Sequence, residues 1–151
     1  MPNEIMTFED FAPGLEIDLG SYPVHMSEMI EFAKKYDPQP FHTDASAAST
    51  SHVGELIASG WFTMSIFMRL QCDGLLNKSS IIVSPGVDNI RWLKPVFAGD
   101  VLSAISRVSG ARLSQSKPDR GIVTSDVVID NQQSQTVATL TTLALFKLRG
   151  M

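Results

Sequence analysis

Two side chains able to exchange a proton with a bound molecule, Asp37 and His42, stand five residues apart in the loop Tyr36-Asp-Pro-Gln-Pro-Phe-His42. A carboxylate beside an imidazole raises the ring's basicity and sets its tautomer, and either group can hold a water. Fully extended, five residue steps reach about 17 Å, so the two side chains meet only if the loop curls. Pro38 and Pro40 each fix φ and push Asp37 and Gln39 away from helical space, which stiffens the loop before any ligand arrives. The competing structural reading is a turn in which Asp37 caps a helix end and His42 fills a gap.

Gly60 is the second element. It heads an apolar stretch, and a glycine there lets a ligand approach the backbone closely. The free N–H groups and the positive end of the helix dipole would face that ligand, a ready site for a developing oxyanion. The alternative for Gly60 is tight helix–sheet packing.

Other polar residues carry less. His25 precedes a helix start and reads as a surface residue. His42, Asp44 and His52 match no standard metal-ligand spacing, so the sequence calls for no metal. Arg69, Arg91 and Lys94 could meet phosphates, but scattered basic residues are ordinarily solvated. No G-x-S-x-G elbow, phosphate loop or dinucleotide fingerprint occurs. Cys72 lies in an apolar stretch without an evident base partner and reads as a small core residue.

The elements that must position these groups follow from periodicity. Leu15 to Val24 alternates apolar and polar residues, the period of a half-buried strand, with Pro23 near its end. Ser27 is the expected N-cap of a helix carrying Glu28 in its first turn and an apolar set of Ile30, Phe32 and Ala33 behind it. That helix must stop before Pro38. A short helix is expected from Asp44 through Ser51. Trp61 to Leu76 is apolar nearly all round, which predicts a helix buried on all sides, with Gly60 at its start and Gly74 near its end. Strand signals follow over Ile81–Leu93, Val101–Val108, Ile122–Asn131 and Thr136–Leu148. The loop Ser114–Gly121 and the turn Asn131–Gln135 make the last three antiparallel neighbours. One strand, a buried helix and four strands in a meander predict an α+β fold, an antiparallel sheet around a central helix.

Composition sets the outer bounds. The 151 residues are 44% hydrophobic and 19% charged, which fits one compact domain over 1–151 and excludes extensive disorder. A net charge of −4 and a pI near 5.2 give nucleic acid no general attraction. One cysteine excludes a disulfide framework. The N-terminus lacks the basic start and apolar run of a secretion signal, and no window approaches the roughly 20 apolar residues of a membrane span. A cytoplasmic location is expected.

Three segments together carry a family resemblance. Tyr36-Asp-Pro-Gln-Pro-Phe-His42-Thr-Asp, then Leu56-Ile-Ala-Ser-Gly60-Trp-Phe-Thr, then Leu93-Lys-Pro-Val-Phe-Ala-Gly-Asp-Val-Leu102 resemble the MaoC-like dehydratases, relatives of the (R)-specific enoyl-CoA hydratases. The resemblance runs from about Phe8 to Leu148 and implies the hot-dog fold. It further implies that Asp37 and His42 jointly hold a water and add it across the double bond of an enoyl thioester, or remove it in reverse. The N–H of Gly60 would stabilise the enolate-like oxygen. Gln39, Pro40, Phe41, Ser59, Trp61 and Phe62 flank these groups and stand as candidate substrate contacts. Gln39 replaces an asparagine found in many members. Phe62 stands where a histidine is often found, and Met68 where the hydratases carry a helix serine near the acyl group. The implied substrate is an acyl-CoA or acyl-carrier thioester of the kind met in fatty acid metabolism, with no cofactor. The family pairs its sheets, which implies at least a homodimer. Thioester hydrolysis and a non-catalytic acyl-binding subunit are the alternatives.

Overall fold

Strand-forming stretches yield five strands: β1 (Glu16–Pro23), β2 (Ile81–Trp92), β3 (Val101–Leu113), β4 (Arg120–Asp130) and β5 (Thr136–Lys147). A computed structural model describes residues 4–151, so the first three residues of the N-terminal stretch read for a secretion signal lie outside it. The helices are α1 (Met26–Tyr36), α2 (Pro40–Thr43), α3 (Ala45–Ala48) and α4 (Gly60–Gly74).

All strand pairs are antiparallel, and the sheet order is β1-β3-β4-β5-β2. The α+β class holds, and β3-β4-β5 is the expected hairpin run. The four-strand meander does not hold, because β2 sits at the far edge beside β5, with Ile81 opposite Phe146 and Trp92 opposite Ala138. The reason lies in the segment 93–100, which is a crossing rather than a turn. It leaves the β2 edge with Leu93 N–H on Val137 O, receives Ala58 N–H on Val96 O, and reaches Val24 through Gly99 N–H. It thus delivers β3 to the opposite side of the sheet, beside β1. β3 also runs past its expected end at Val108, through a bulge between Val108 and Gly110 that interrupts the alternation.

One sheet face and α4 make the core. β4 buries Val123, Val127 and Ile129 at alternate positions, and β5 adds Leu140, Ala144 and Phe146. Facing them, α4 buries Phe62, Ile66, Phe67 and Leu70. Burying each such large side chain stabilises the fold by about 1.5–3 kcal/mol. The expectation of a helix buried on all sides is corrected here. Trp61, Ser65, Met68 and Arg69 of α4 are exposed, so its apolar residues outnumber the positions the sheet covers. Cys72 is only half-buried on this helix, not a core residue.

The 15 residues of α4 span about 22 Å, and the four gaps of a five-stranded sheet span about 19 Å. The helix therefore crosses the sheet from edge to edge. Its first residue lies beside Trp92 of β2, and its last lies against Leu19 of β1.

Around this frame, α1 buries Met29 and Ala33. Its N-cap position is His25, without a side-chain hydrogen bond, and Ser27 falls inside the first turn, so the expected Ser27 cap is not formed. Two residues decide the difference, since the Ser27 hydroxyl is already past the point where first-turn N–H groups open. Asp44 does cap, accepting from Ser46 N–H and Ala47 N–H, but α3 ends at Ala48 rather than Ser51. The proline loop contains a helical turn of its own, α2, with Pro40 at its first position, where a missing N–H costs nothing.

Candidate active site

The site begins where α1 ends. Asp37 N–H closes the helix on Ala33 O, and Pro38 forbids continuation, so the Asp37 side chain is turned out of the helical path. Pro40 then starts α2, which brings His42 back toward Asp37 within one turn. His42 is 6% exposed, and its Nε2 lies 3.4 Å from Asp37 Oδ2. The curl expected of the proline loop is therefore formed, and it joins the two side chains.

The other ring nitrogen sets the tautomer. His42 Nδ1 is 2.8 Å from the carbonyl oxygen of Ile57, which only accepts, so Nδ1 carries a hydrogen. In the neutral ring Nε2 then presents a lone pair toward a carboxylate oxygen. Two acceptors face each other, and either a proton on His42 or a molecule with two hydrogens to give, such as water, satisfies both.

Asp37 is held from both sides. Ser59 Oγ donates to Oδ2 at 2.7 Å, and Gln39 Nε2 donates to Oδ1 at 2.7 Å. The Ser59 hydroxyl is the main reason the Asp37 carboxyl titrates below the ordinary aspartate value of 3.8; Gln39 and the charge of His42 act in the same direction, and burial opposes them. Asp37 is thus a carboxylate at neutral pH. The longer glutamine in place of asparagine still reaches it.

The start of α4 supplies the donor. Ser59, fully buried, caps the helix by accepting from Trp61 N–H at 3.2 Å, while Phe62 and Thr63 N–H bond to Ser59 O. Gly60 N–H donates to no group among the described residues, and it sits at the positive end of the helix dipole. Why the residue is glycine has a separate answer. Trp92 lies across it, its Nε1–H donating to Gly60 O at 3.0 Å, and a Cβ on residue 60 would stand 2.5 Å from the indole. The packing reading of Gly60 is therefore correct in a specific form, against a side chain rather than the sheet backbone, and it leaves the N–H free.

These groups open on a cavity of about 440 Å³. Asp37, Gln39, His42, Gly60 and Trp61 line it, with Ile57, Ala58, Thr63, Trp92, Leu93, Lys94, Pro95 and Val96. Apolar side chains thus surround a small polar cluster, the composition of a small-molecule site. Ser59 lies behind the lining. Pro40, Phe41 and Phe62 are not brought to the cavity. Pro40 starts α2, Phe41 sets its ring edge-on to His42 at 4.4 Å, and Phe62 faces Phe32 in the core at 5.5 Å. The physical reason for Phe62 is helical rotation, two positions past Gly60 on the buried face. Of the basic candidates only Lys94 lines the cavity. Arg69 pairs with Asp73 at 2.7 Å on the outer face of α4, and Arg91 bonds to Ile90 O.

The sequence reading missed Ile57, Trp92 and, apart from Lys94, the 93–96 wall. The signal was present in Trp92-Leu-Lys-Pro95, a strand end broken by proline, but its proximity to Gly60 depends on β2 lying at the edge where α4 begins.

Comparison with known proteins places this arrangement. Residues 10–131 match the MaoC like domain family. The crystal structure of the MaoC-like dehydratase from Rhodospirillum rubrum superposes with a TM-score of 0.90 at 35% identity, over 97% of this chain and 99% of that one. An (R)-hydratase from A. caviae involved in PHA biosynthesis superposes at 0.71 with 28% identity, over 91% and 96% of the two chains. The uncharacterized protein YdeM of Bacillus subtilis (strain 168) is 29% identical over 103 residues, 68% of this chain and 73% of its own. With the sheet, its crossing helix and the sequence in agreement over most of its length, the chain belongs to the MaoC-like family of hot-dog proteins.

Proposed function

We propose that this protein is a hydratase or dehydratase that adds water to an enoyl thioester, or removes it from the 3-hydroxyacyl thioester, with Asp37 and His42 as its acid–base pair. One observation carries the reading. Two acceptors, Asp37 Oδ2 and His42 Nε2, stand 3.4 Å apart at a cavity whose wall also offers the unpartnered N–H of Gly60. The relationship to a MaoC-like dehydratase and an (R)-hydratase supports it.

In the hydration direction, a water gives one hydrogen bond to Asp37 Oδ2 and one to His42 Nε2, which aims its oxygen lone pair into the cavity. As that oxygen bonds to Cβ, the water's proton passes to His42 Nε2, and the C=C π electrons move onto the thioester carbonyl. Gly60 N–H, at the positive end of α4, meets that negative oxygen. The enolate then collapses, and the proton held on His42 returns to Cα. Asp37 stays a carboxylate and stabilises the imidazolium between the two steps. A backbone donor of this kind lowers the barrier by about 3–4 kcal/mol.

The apolar wall of Ile57, Trp61, Trp92, Leu93 and Val96 suits an acyl chain, and Lys94 supplies a cation for the phosphates of coenzyme A or a carrier's phosphopantetheine. The whole chain acts as a single domain. A homodimer formed along the β2 edge fits the exposure of Val83, Val87 and Trp92 there. Size-exclusion chromatography with light scattering checks this; a monomer at micromolar concentration contradicts it.

The direct test mixes the protein with trans-2-enoyl-CoA thioesters and follows enoyl absorbance and free thiol together. The expected result is loss of absorbance without thiol, abolished by Asp37→Asn or His42→Ala. Thiol release dependent on Asp37 makes the protein a thioesterase. Binding without turnover, unchanged by Asp37→Asn, makes it an acyl-binding subunit.

A further inference from the structure

The Asp37–His42 pair accounts for the chemistry but not for Ser59, a hydroxyl buried completely between the helix start and the carboxylate. A serine hydroxyl has one hydrogen and two lone pairs. Here the hydrogen goes to Asp37 Oδ2 at 2.7 Å, and a lone pair receives Trp61 N–H at 3.2 Å. The direction of both bonds is forced, because an amide N–H only donates and a carboxylate only accepts. A capping oxygen needs no such second partner, since an N-cap serine works by accepting alone.

We infer that Ser59 is the positioning residue of the site, its hydroxyl tying the Asp37 carboxylate to the N-terminus of α4 so that Oδ2, and not a protonated or rotated carboxyl, faces His42. The inference rests on the acid–base reading of Asp37 and His42. Its geometry has two further consequences. Gln39 holds the opposite oxygen, so the carboxylate is gripped at both ends and its plane cannot turn. Ser59 also precedes Gly60, so one residue sets both the acceptor that orients the water and the donor that meets the oxyanion. A shift of Ser59 moves both together, and the distance between them stays constant. This is the kind of support that keeps reacting groups within tenths of an ångström of a productive arrangement.

A hydroxyl donating to the charged form of a carboxyl favours that form. Removing it raises the pH at which Asp37 takes up a proton, and with it the pH below which the water loses its acceptor. The titratable or charged groups around Asp37 are His42 on α2 and, across the cavity, Lys94 on the segment after β2. Neither is changed by a substitution at 59.

The experiment compares wild type with Ser59→Ala, Ser59→Thr and Ser59→Cys, each checked for folding by thermal melting. Two quantities are read: kcat and KM for enoyl-CoA hydration against pH, and the Asp37 carboxyl titration by carbon-13 NMR. Ser59→Ala is expected to lower kcat roughly tenfold to a hundredfold, the rate equivalent of one hydrogen bond to a charged group. KM stays near wild type, and both the acidic limb of the profile and the Asp37 midpoint move to higher pH. Ser59→Thr, which keeps the hydroxyl, restores most of the rate and the midpoint. Ser59→Cys, a weak donor of similar size, falls between and serves as the deciding variant if alanine does not fold. A folded alanine or cysteine variant whose Asp37 midpoint equals wild type overturns the inference, whatever its rate. If wild type shows no turnover while the midpoint still moves, the positioning role stands and the hydratase reading falls.

Discussion

At its N-terminal end α4 meets a side chain, and at its C-terminal end it meets a backbone. Gly60 lies under the Trp92 indole, where a Cβ would stand 2.5 Å from a ring atom, and Gly74 lies against Leu19, where a Cβ would stand 2.8 Å from Cα. The two contacts look alike in distance and differ in what can yield. Trp92 is 45% exposed and can swing outward. Leu19 is a core residue of β1 held by the sheet, so only the helix can move. The first end is also polar, with the capped serine, the free N–H and the carboxylate. The second carries only the exposed Arg69–Asp73 pair, turned to solvent. Close packing can therefore serve a site or a fold, and the neighbouring atom tells which.

The largest effect that sharpens this comparison is chemical. Asp37→Asn at the N-terminal end is expected to cost about a hundredfold to ten-thousandfold in the rate of enoyl-thioester hydration. Asp73→Asn, whose pair with Arg69 is well exposed, leaves the rate unchanged. Steady-state assays on both variants check this; a rate that survives Asp37→Asn breaks the assignment of chemistry to one end.

Next come the glycines themselves. Gly74→Ala forces a methyl into backbone and is expected to destabilise the protein by about 1–3 kcal/mol, with normal activity per folded molecule. Gly60→Ala gains up to about 1 kcal/mol of helix preference and displaces the indole, so its stability stays near wild type. Its rate falls about tenfold to a hundredfold as the cavity wall moves. Urea unfolding and kcat on the same samples decide the matter, and identical profiles for the two variants would collapse the distinction.

A smaller effect appears in acid. Asp37 titrates below 3.8 in the folded protein, so its contribution to stability is present above that value and lost as pH falls through the lowered folded one. Melting curves between pH 7 and pH 2.5 should show the Asp37→Asn variant losing less stability over this range than wild type. Equal losses would mean the carboxylate is not held as described. Smallest is Trp92→Phe, which removes the Nε1–H bond to Gly60 O and keeps most of the ring, at a cost of about 1 kcal/mol.

Much of this was open to reading in the sequence, and the limits have physical causes. Asp37 and His42 were legible because two prolines restrict the loop between them, which is local information. Strands β3, β4 and β5 were legible for the same reason, their alternation being local. The position of β2 was not, because pairing with β5 is set by a crossing segment whose course depends on Ala58 and Val24, both distant in sequence. Trp92 was lost with it, since it joins the site only through that topology, and Ile57 was lost because its carbonyl meets His42 across 15 positions that no pattern relates. The exposure of Trp61 and Met68 escaped because apolar residues on a helix do not reveal how many of them a sheet can cover. Ser59 was singled out as a substrate contact, and its bond to Asp37 spans 22 positions that no pattern relates.

The hydrogen bond between His42 and Ile57 has one more consequence. It links residues 15 apart, and beside it Ile57 N–H returns to Phe41 O at 3.3 Å. The stretch between is therefore an Ω-shaped excursion with its neck already tied, and its tip, residues 49–55, is almost wholly exposed. Doubling the length of such a loop costs only about 0.6 kcal/mol in closure entropy. The excursion can thus take on residues, or a graft, without retuning the imidazole at its neck, and it marks where new recognition surface can be added to this scaffold without disturbing its chemistry.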